Sequence, residues 1–371
     1  MNRWGCAVAF AAGCASSGTS SEIYGPPEEV LSVHWRLQLT PTPIVEYMPQ
    51  EFAAATSDGQ RLFLGSRGGQ FFAFRTDDGE ILWHQPIEGG VSSQPLLEPA
   101  IGTVYVGGND GAMYAFDAAT GKERWRYRTK GPIEGVPALA EGLLCFTNGE
   151  NRIYALDAAT GAWRWQYDRD APESFTIRGF SSPLLYGGRA YVGFADGYLV
   201  ALSAKTGEVV WAHSLAAGAT RFVDVDSTPV IAEGALYASS YSGGVYALSP
   251  ADGAVRWRYE VEGAGTVQAA GEEICFSAVK AGLHCLDRKG RLLWRQSLAK
   301  QGVLSTPVLV GPRLLLVSAA AGGTYVVDRP SGRLMQYFDP GQGVSAPVAS
   351  DGRQVYLLSN AGFLYAFTVR L

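Results

Sequence analysis

The chain has 371 residues, 47% of them apolar and 12% aromatic, enough to bury a large core and to exclude a disordered chain. Charged residues make up only 18% and glycines number 46, a balance that favours many short strands joined by tight turns. The formal net charge of −5 argues against a nucleic-acid groove, which needs a basic surface. No apolar run reaches the ~18 residues expected of a membrane-spanning helix.

In chain order, the first segment is an address. Met1 to Cys14 carries Arg3, then an apolar stretch and small residues before the cysteine, a secretory pattern to be set aside in fold reasoning. Ala11-Ala12-Gly13-Cys14 resembles a bacterial lipobox, whose cysteine is acylated and becomes the new N-terminus. The competing reading is an incidental cysteine. Residues 1–13 are therefore expected to be a lipoprotein signal peptide and 14–32 a tether of flexible composition. Ala15 is not the aspartate that favours inner-membrane retention in lipoprotein sorting, so the resemblance implies the periplasmic face of the outer membrane.

Beyond the tether one unit repeats. Gly111-Ala-Met-Tyr-Ala-Phe-Asp117-Ala-Ala-Thr-Gly121-Lys-Glu-Arg-Trp125 has a Gly-x-x-aromatic-Ala core. That core recurs from Gly69, Gly197, Gly243 and Gly362, and weaker copies start at Asn151, Gly282 and Gly323. The tryptophan ending each unit stands at 35, 83, 125, 165, 211, 257 and 294, with Gln336 in the eighth place. A period near 42 with strand-like alternation is the arithmetic of a four-stranded propeller blade. Within the unit, Tyr114 and Phe116 share one strand face, Asp117 caps the next turn, and Gly121 supplies φ > 0. A ring in seven of eight units reads as packing between sheets, because a ligand site needs one tryptophan and not seven.

Trp35 would lie on an orphan fourth strand, while the last unit stops after its third. Pairing them closes the ring and removes two sheet edges. The expected fold is an all-β, eight-bladed propeller of four-stranded antiparallel blades over residues 33–371, with the N-terminal strand completing the last blade.

Catalytic constellations do not emerge. His34, His84, His213 and His284 fall on different strands without metal-ligand spacing, and neither a G-x-S-x-G elbow nor a P-loop occurs. No enzyme, metal or cofactor is expected. Cys275 and Cys285 occupy repeat positions equivalent to Tyr105 and Ala115, opposite each other on adjacent strands. Two readings stay open there, a cross-strand disulfide or two small buried thiols. Cys145 reads as core.

The Tyr-Ala-Leu-Asp-Ala-Ala-Thr-Gly…Trp unit, clearest over Tyr154 to Trp165, resembles the repeat of pyrroloquinoline-quinone dehydrogenases. That resemblance covers Trp35 onward and implies the fold. The cofactor does not carry over, since the vicinal cysteine pair typical of those enzymes has no counterpart here. The chain is more similar to the BamB family, propeller lipoproteins of the outer-membrane β-barrel assembly machinery. The shared features are the lipobox, the length, eight repeats without an added catalytic domain, and two long connections. From repeat tryptophan to next proline the gap is 12 residues for Trp83–Pro95 and Trp125–Pro137, but 18 for both Trp165–Pro183 and Trp211–Pro229. Extended loops on a rigid scaffold commonly carry recognition.

The first loop holds Phe175-Thr-Ile177-Arg178-Gly179 and the second Arg221-Phe-Val-Asp224-Val-Asp226-Ser-Thr-Pro229. By resemblance, Phe175 and Ile177 are apolar partner contacts, Arg178 makes a charge-assisted bond, and Asp224 and Asp226 accept partner donors or orient Arg178. An intramolecular Arg178–aspartate bridge tying the loops together is the competing reading. The expectation is a monomeric, non-catalytic subunit that binds the periplasmic domains of the central barrel component and aids assembly of outer-membrane proteins. The alternatives are a propeller lipoprotein scaffolding another envelope complex and a quinone-dependent dehydrogenase.

Overall fold

A computed structural model describes residues 29–40, 50–170, 181–298 and 302–370. Its strands form eight antiparallel sheets of four. Seven sheets take their strands in chain order from the axis outward. Blade 2, for example, runs Leu96–Glu98, Thr103–Gly107, Ala112–Asp117 and Glu123–Arg128. Its second and third strands are buried on both faces, whereas the outer strand alternates half-buried and exposed residues. The inner strands (Thr-Val-Tyr-Val-Gly and Ala-Met-Tyr-Ala-Phe-Asp) therefore read as continuous apolar runs. The outer one, Glu-Arg-Trp-Arg-Tyr-Arg, keeps the period of two expected of a sheet with one solvated face.

Among the described residues there is no single central core. Apolar side chains instead form clusters between neighbouring blades: Phe63, Phe71 and Trp83 of blade 1 pack with Val104, Val106, Tyr114 and Phe116 of blade 2. Each blade thus depends on its neighbours to bury its faces, the repeat logic of a solenoid bent into a ring.

The repeat tryptophans carry this packing. Each of the seven leans over the last hairpin turn of the following blade. Its indole nitrogen donates to a turn carbonyl at 2.7–3.2 Å. The ring lies directly on the turn glycine: at Gly121, with φ +71°, a Cβ would come within 2.6 Å of the Trp83 ring. Backbone conformation and the covering indole both demand glycine there. In the same turn Asp117 Oδ1 accepts from the backbone amides of Ala119 and Thr120, while Oδ2 accepts from Arg124 at 2.8 Å.

The ring closes where the sequence places the closure. Leu31–Gln38 pairs antiparallel with the last strand, Phe363–Val369, setting Trp35 opposite Ala366. The strand begins at Leu31, two residues inside the segment assigned to the tether. The reason lies in blade 7, where Gln336 holds this strand's backbone. Its side-chain oxygen accepts from the amides of Val30 (2.9 Å) and Leu31 (2.7 Å), and its nitrogen donates to the Leu31 carbonyl (2.8 Å).

In blade 6 the register sets Cys275 opposite Cys285. Their Cα atoms are 4.1 Å apart and the sulfurs are bonded. In five other blades the equivalent pair is an aromatic residue and alanine, such as Tyr105 and Ala115, whereas blade 3 pairs Cys145 with Ala155 and blade 7 Leu316 with Val326. Tyr105 meets its blade's own tryptophan, Trp125, at 5.8 Å. Cys145 is buried and unbonded, and burial pushes its thiol well above the ordinary range.

Candidate partner-binding site

Blade geometry sorts the loops onto two faces. Hairpin turns between second and third strands share one face with the blade-to-blade connections. Both long connections, from blade 3 to blade 4 and from blade 4 to blade 5, emerge there as neighbours. Phe175, Ile177 and Arg178 lie outside the described residues, as does Cys14.

Residues 181–183 end the first connection and residues 215–229 form the second. Ser181 ties them together: its hydroxyl donates to the Ser227 carbonyl at 2.9 Å and accepts from the Gly193 amide at 3.0 Å. Ser227 repeats the device one blade on, donating to the Ser239 carbonyl (2.8 Å) and accepting from the Ser239 amide (2.9 Å).

Between these pins the second loop is anchored to blades 4 and 5. The Leu215 amide donates to the Gly197 carbonyl at 2.8 Å, and the Val225 amide to that of Phe194 at 3.1 Å. The Asp224 carbonyl accepts from the Tyr241 amide at 3.3 Å. This places the two carboxylates. Asp224 is only 2% exposed, so it sits beneath the loop surface and not on it, while Asp226 is half-buried. Burial, and then the nearby charge of Asp224, raise the Asp226 pKa to about 6. A pair of crowded carboxylates of this kind takes up a proton or a donor readily.

Where the first connection leaves blade 3, Arg169 braces it. Its Nε donates to Asp196 Oδ2 at 2.5 Å, its Nη1 donates to the Tyr167 hydroxyl at 3.3 Å, and its guanidinium stacks 4.3 Å above the Tyr198 ring. Sequence reasoning passed over Arg169, and also Phe222 in the second loop and Tyr241 in the hairpin turn of blade 5, whose rings meet at 5.9 Å. Arg169 directly precedes the long connection, which is a readable signal. The pairing of Phe222 with Tyr241 joins two blades and leaves none.

The family model described as "Outer membrane protein assembly factor BamB" matches residues 32–101, 100–289 and 242–370. The chain belongs to the BamB family. The segment matched over 100–289 contains both long connections of this BamB-family propeller. Curated relatives called "Outer membrane protein assembly factor BamB" occur in Shewanella oneidensis, 31% identical over 75 residues, and in Burkholderia pseudomallei, 36% identical over 78. Those stretches cover 20% and 21% of this chain, and the chain spans only 18% and 20% of those relatives' lengths. The crystal structure of BamB from Moraxella catarrhalis superposes with a TM-score of 0.78 at 23% identity, covering 91% of this chain and 100% of that one. At that identity the likeness speaks for the fold.

Proposed function

We propose that this BamB-family chain is a non-catalytic lipoprotein scaffold of the outer-membrane β-barrel assembly machinery. It is anchored through acylated Cys14 on the periplasmic face of the outer membrane. Its partner is the periplasmic part of the central barrel component, met by Phe175, Ile177, Arg178 and Asp226, with the buried Asp224 beneath the loop supporting Asp226 and not touching the partner. Its task is to aid assembly and insertion of outer-membrane proteins.

The observation that carries this reading is the long connection between blades 4 and 5. It is fastened at both ends to rigid blades, is tied at Ser227 to Ser181 at the end of the other long connection, and holds the half-buried Asp226 above the buried Asp224. A preorganised loop of this kind lowers the ordering cost of binding. Buried carboxylates reward a partner that brings hydrogen-bond donors or a cation.

The test is a binding titration of the purified propeller against the purified periplasmic domains of the central barrel protein. Arg178→Ala and Asp226→Ala are each expected to weaken binding by about tenfold or more, the scale of one charged hydrogen bond. Unchanged affinity in both folded variants would remove the site.

A further inference from the structure

Phe222 combines three properties that folding alone does not explain. It is a bulky residue at φ +52°, in the left-handed region that side chains with a Cβ avoid. It is 42% exposed. And it directly precedes a tightly held segment. Val223 packs against Gly197, where a Cβ would come within 3.1 Å of its side chain, and Asp224 and Val225 are pinned to blades 4 and 5 and buried. The chain turns abruptly at Phe222, so the ring stands outward as its successors enter the propeller. Tyr241, in the hairpin turn of blade 5, braces the ring from one side at 5.9 Å with the planes tilted by 54°.

Glycine or asparagine would make the same turn without strain. A strained backbone that holds an aromatic ring in water opposes stability, and such outliers cluster where a surface is built to engage something. Braced aromatic side chains beside polar groups are also the usual energetic centres of protein interfaces. We propose that Phe222, supported by Tyr241, is the apolar anchor of this docking face. Its occupant is a folded protein domain with an apolar pocket for the ring and hydrogen-bond donors beside it for the Asp226 carboxylate. This rests on the reading of the face as the partner-binding surface, and it adds an anchor in the second loop to the apolar residues of the first.

The experiment compares full-length wild type with Phe222→Gly, Phe222→Leu and Asp226→Ala. Each is measured for thermal midpoint and for affinity to the purified periplasmic domains of the central barrel protein. Phe222→Gly should melt at or above the wild-type temperature and bind at least about tenfold more weakly, while Phe222→Leu keeps most of the affinity. Stability and binding moving in opposite directions separate an anchor from a packing residue. A clear drop in the melting temperature of Phe222→Gly would make the ring structural and overturn the proposal. If Asp226→Ala weakens binding and Phe222→Gly does not, the face stands and Phe222 is refuted as its anchor. If neither variant changes binding, the docking face falls and the proposal with it.

Discussion

Trp294 and Gln336 hold equivalent places on the outer strands of consecutive blades, and only the residue with a turn to cover is a tryptophan. Trp294 caps the last turn of blade 7, donating to the Arg329 carbonyl at 2.8 Å over Gly332. The next blade has no such turn, because its third and fourth strands come from opposite ends of the chain. Gln336 instead makes three hydrogen bonds to the backbone of Val30 and Leu31. At ~0.5–1.5 kcal/mol net each, Gln336→Ala should cost about 2–4 kcal/mol. Gln336→Trp, which restores the repeat consensus, should destabilise as well. Denaturant unfolding checks both; a Gln336→Trp variant as stable as wild type would refute the clasp.

The covered turns make a matching prediction. Gly121→Ala sets a Cβ against the Trp83 ring and demands a left-handed conformation of alanine. Left-handed strain and overpacking together amount to about 2–4 kcal/mol. Gly59, also at positive φ but with open space around it, should lose only the conformational part on substitution by alanine. Paired melting curves of the two variants separate packing from backbone strain.

The bond between Cys275 and Cys285 closes a loop with a sequence separation of 10. Such a loop stabilises by about 2–3 kcal/mol in the chain-entropy description. Thiol titration of the denatured, unreduced propeller should find Cys145 reactive and Cys275 and Cys285 silent, with all three reacting after reduction. Reaction at all three without reductant would show the pair to be thiols.

Asp226 sets a pH dependence of defined sign. Its folded pKa of about 6 lies above the ordinary aspartate value, so the neutral form favours the fold. That contribution is complete below about pH 4 and is lost as pH rises through 6. Asp117 and Asp157 act oppositely. Hydrogen bonds from Arg124 and Arg164 lower their pKa values, and their contribution is lost only on acidification below about pH 4. Between pH 4.5 and 7.5 the thermal midpoint should therefore carry a downward component that Asp226→Asn abolishes. A profile identical in wild type and Asp226→Asn would show that the surroundings of Asp226 do not disfavour its charged form.

The repeat made most of the fold legible. Where one environment recurs, local residues suffice: the glycine under the ring and the tryptophan report the same contact seven times over, and the turn aspartate joins them in four of those turns, at Asp117, Asp157, Asp287 and Asp328. The eighth unit read as incomplete, and that incompleteness correctly located the ring closure. The same register also set Cys275 opposite Cys285. Gln336 was visible only as a gap in the pattern, because its partners lie some 300 positions away in the chain. Loop length exposed the site, but not its conformation. The burial of Asp224 depends on hydrogen bonds to two different blades, and the left-handed turn at Phe222 is imposed by the anchoring of the residues that follow it. Neither is written in local composition.

The most direct test of the central claim is recovery of partners from detergent-solubilised envelopes by the tagged full-length protein, beside a double variant Arg178→Ala and Asp226→Ala. The account predicts that the wild type brings down the central barrel-assembly protein and that the folded double variant does not. Failure of the wild type to recover it, or equal recovery by both, would contradict the account.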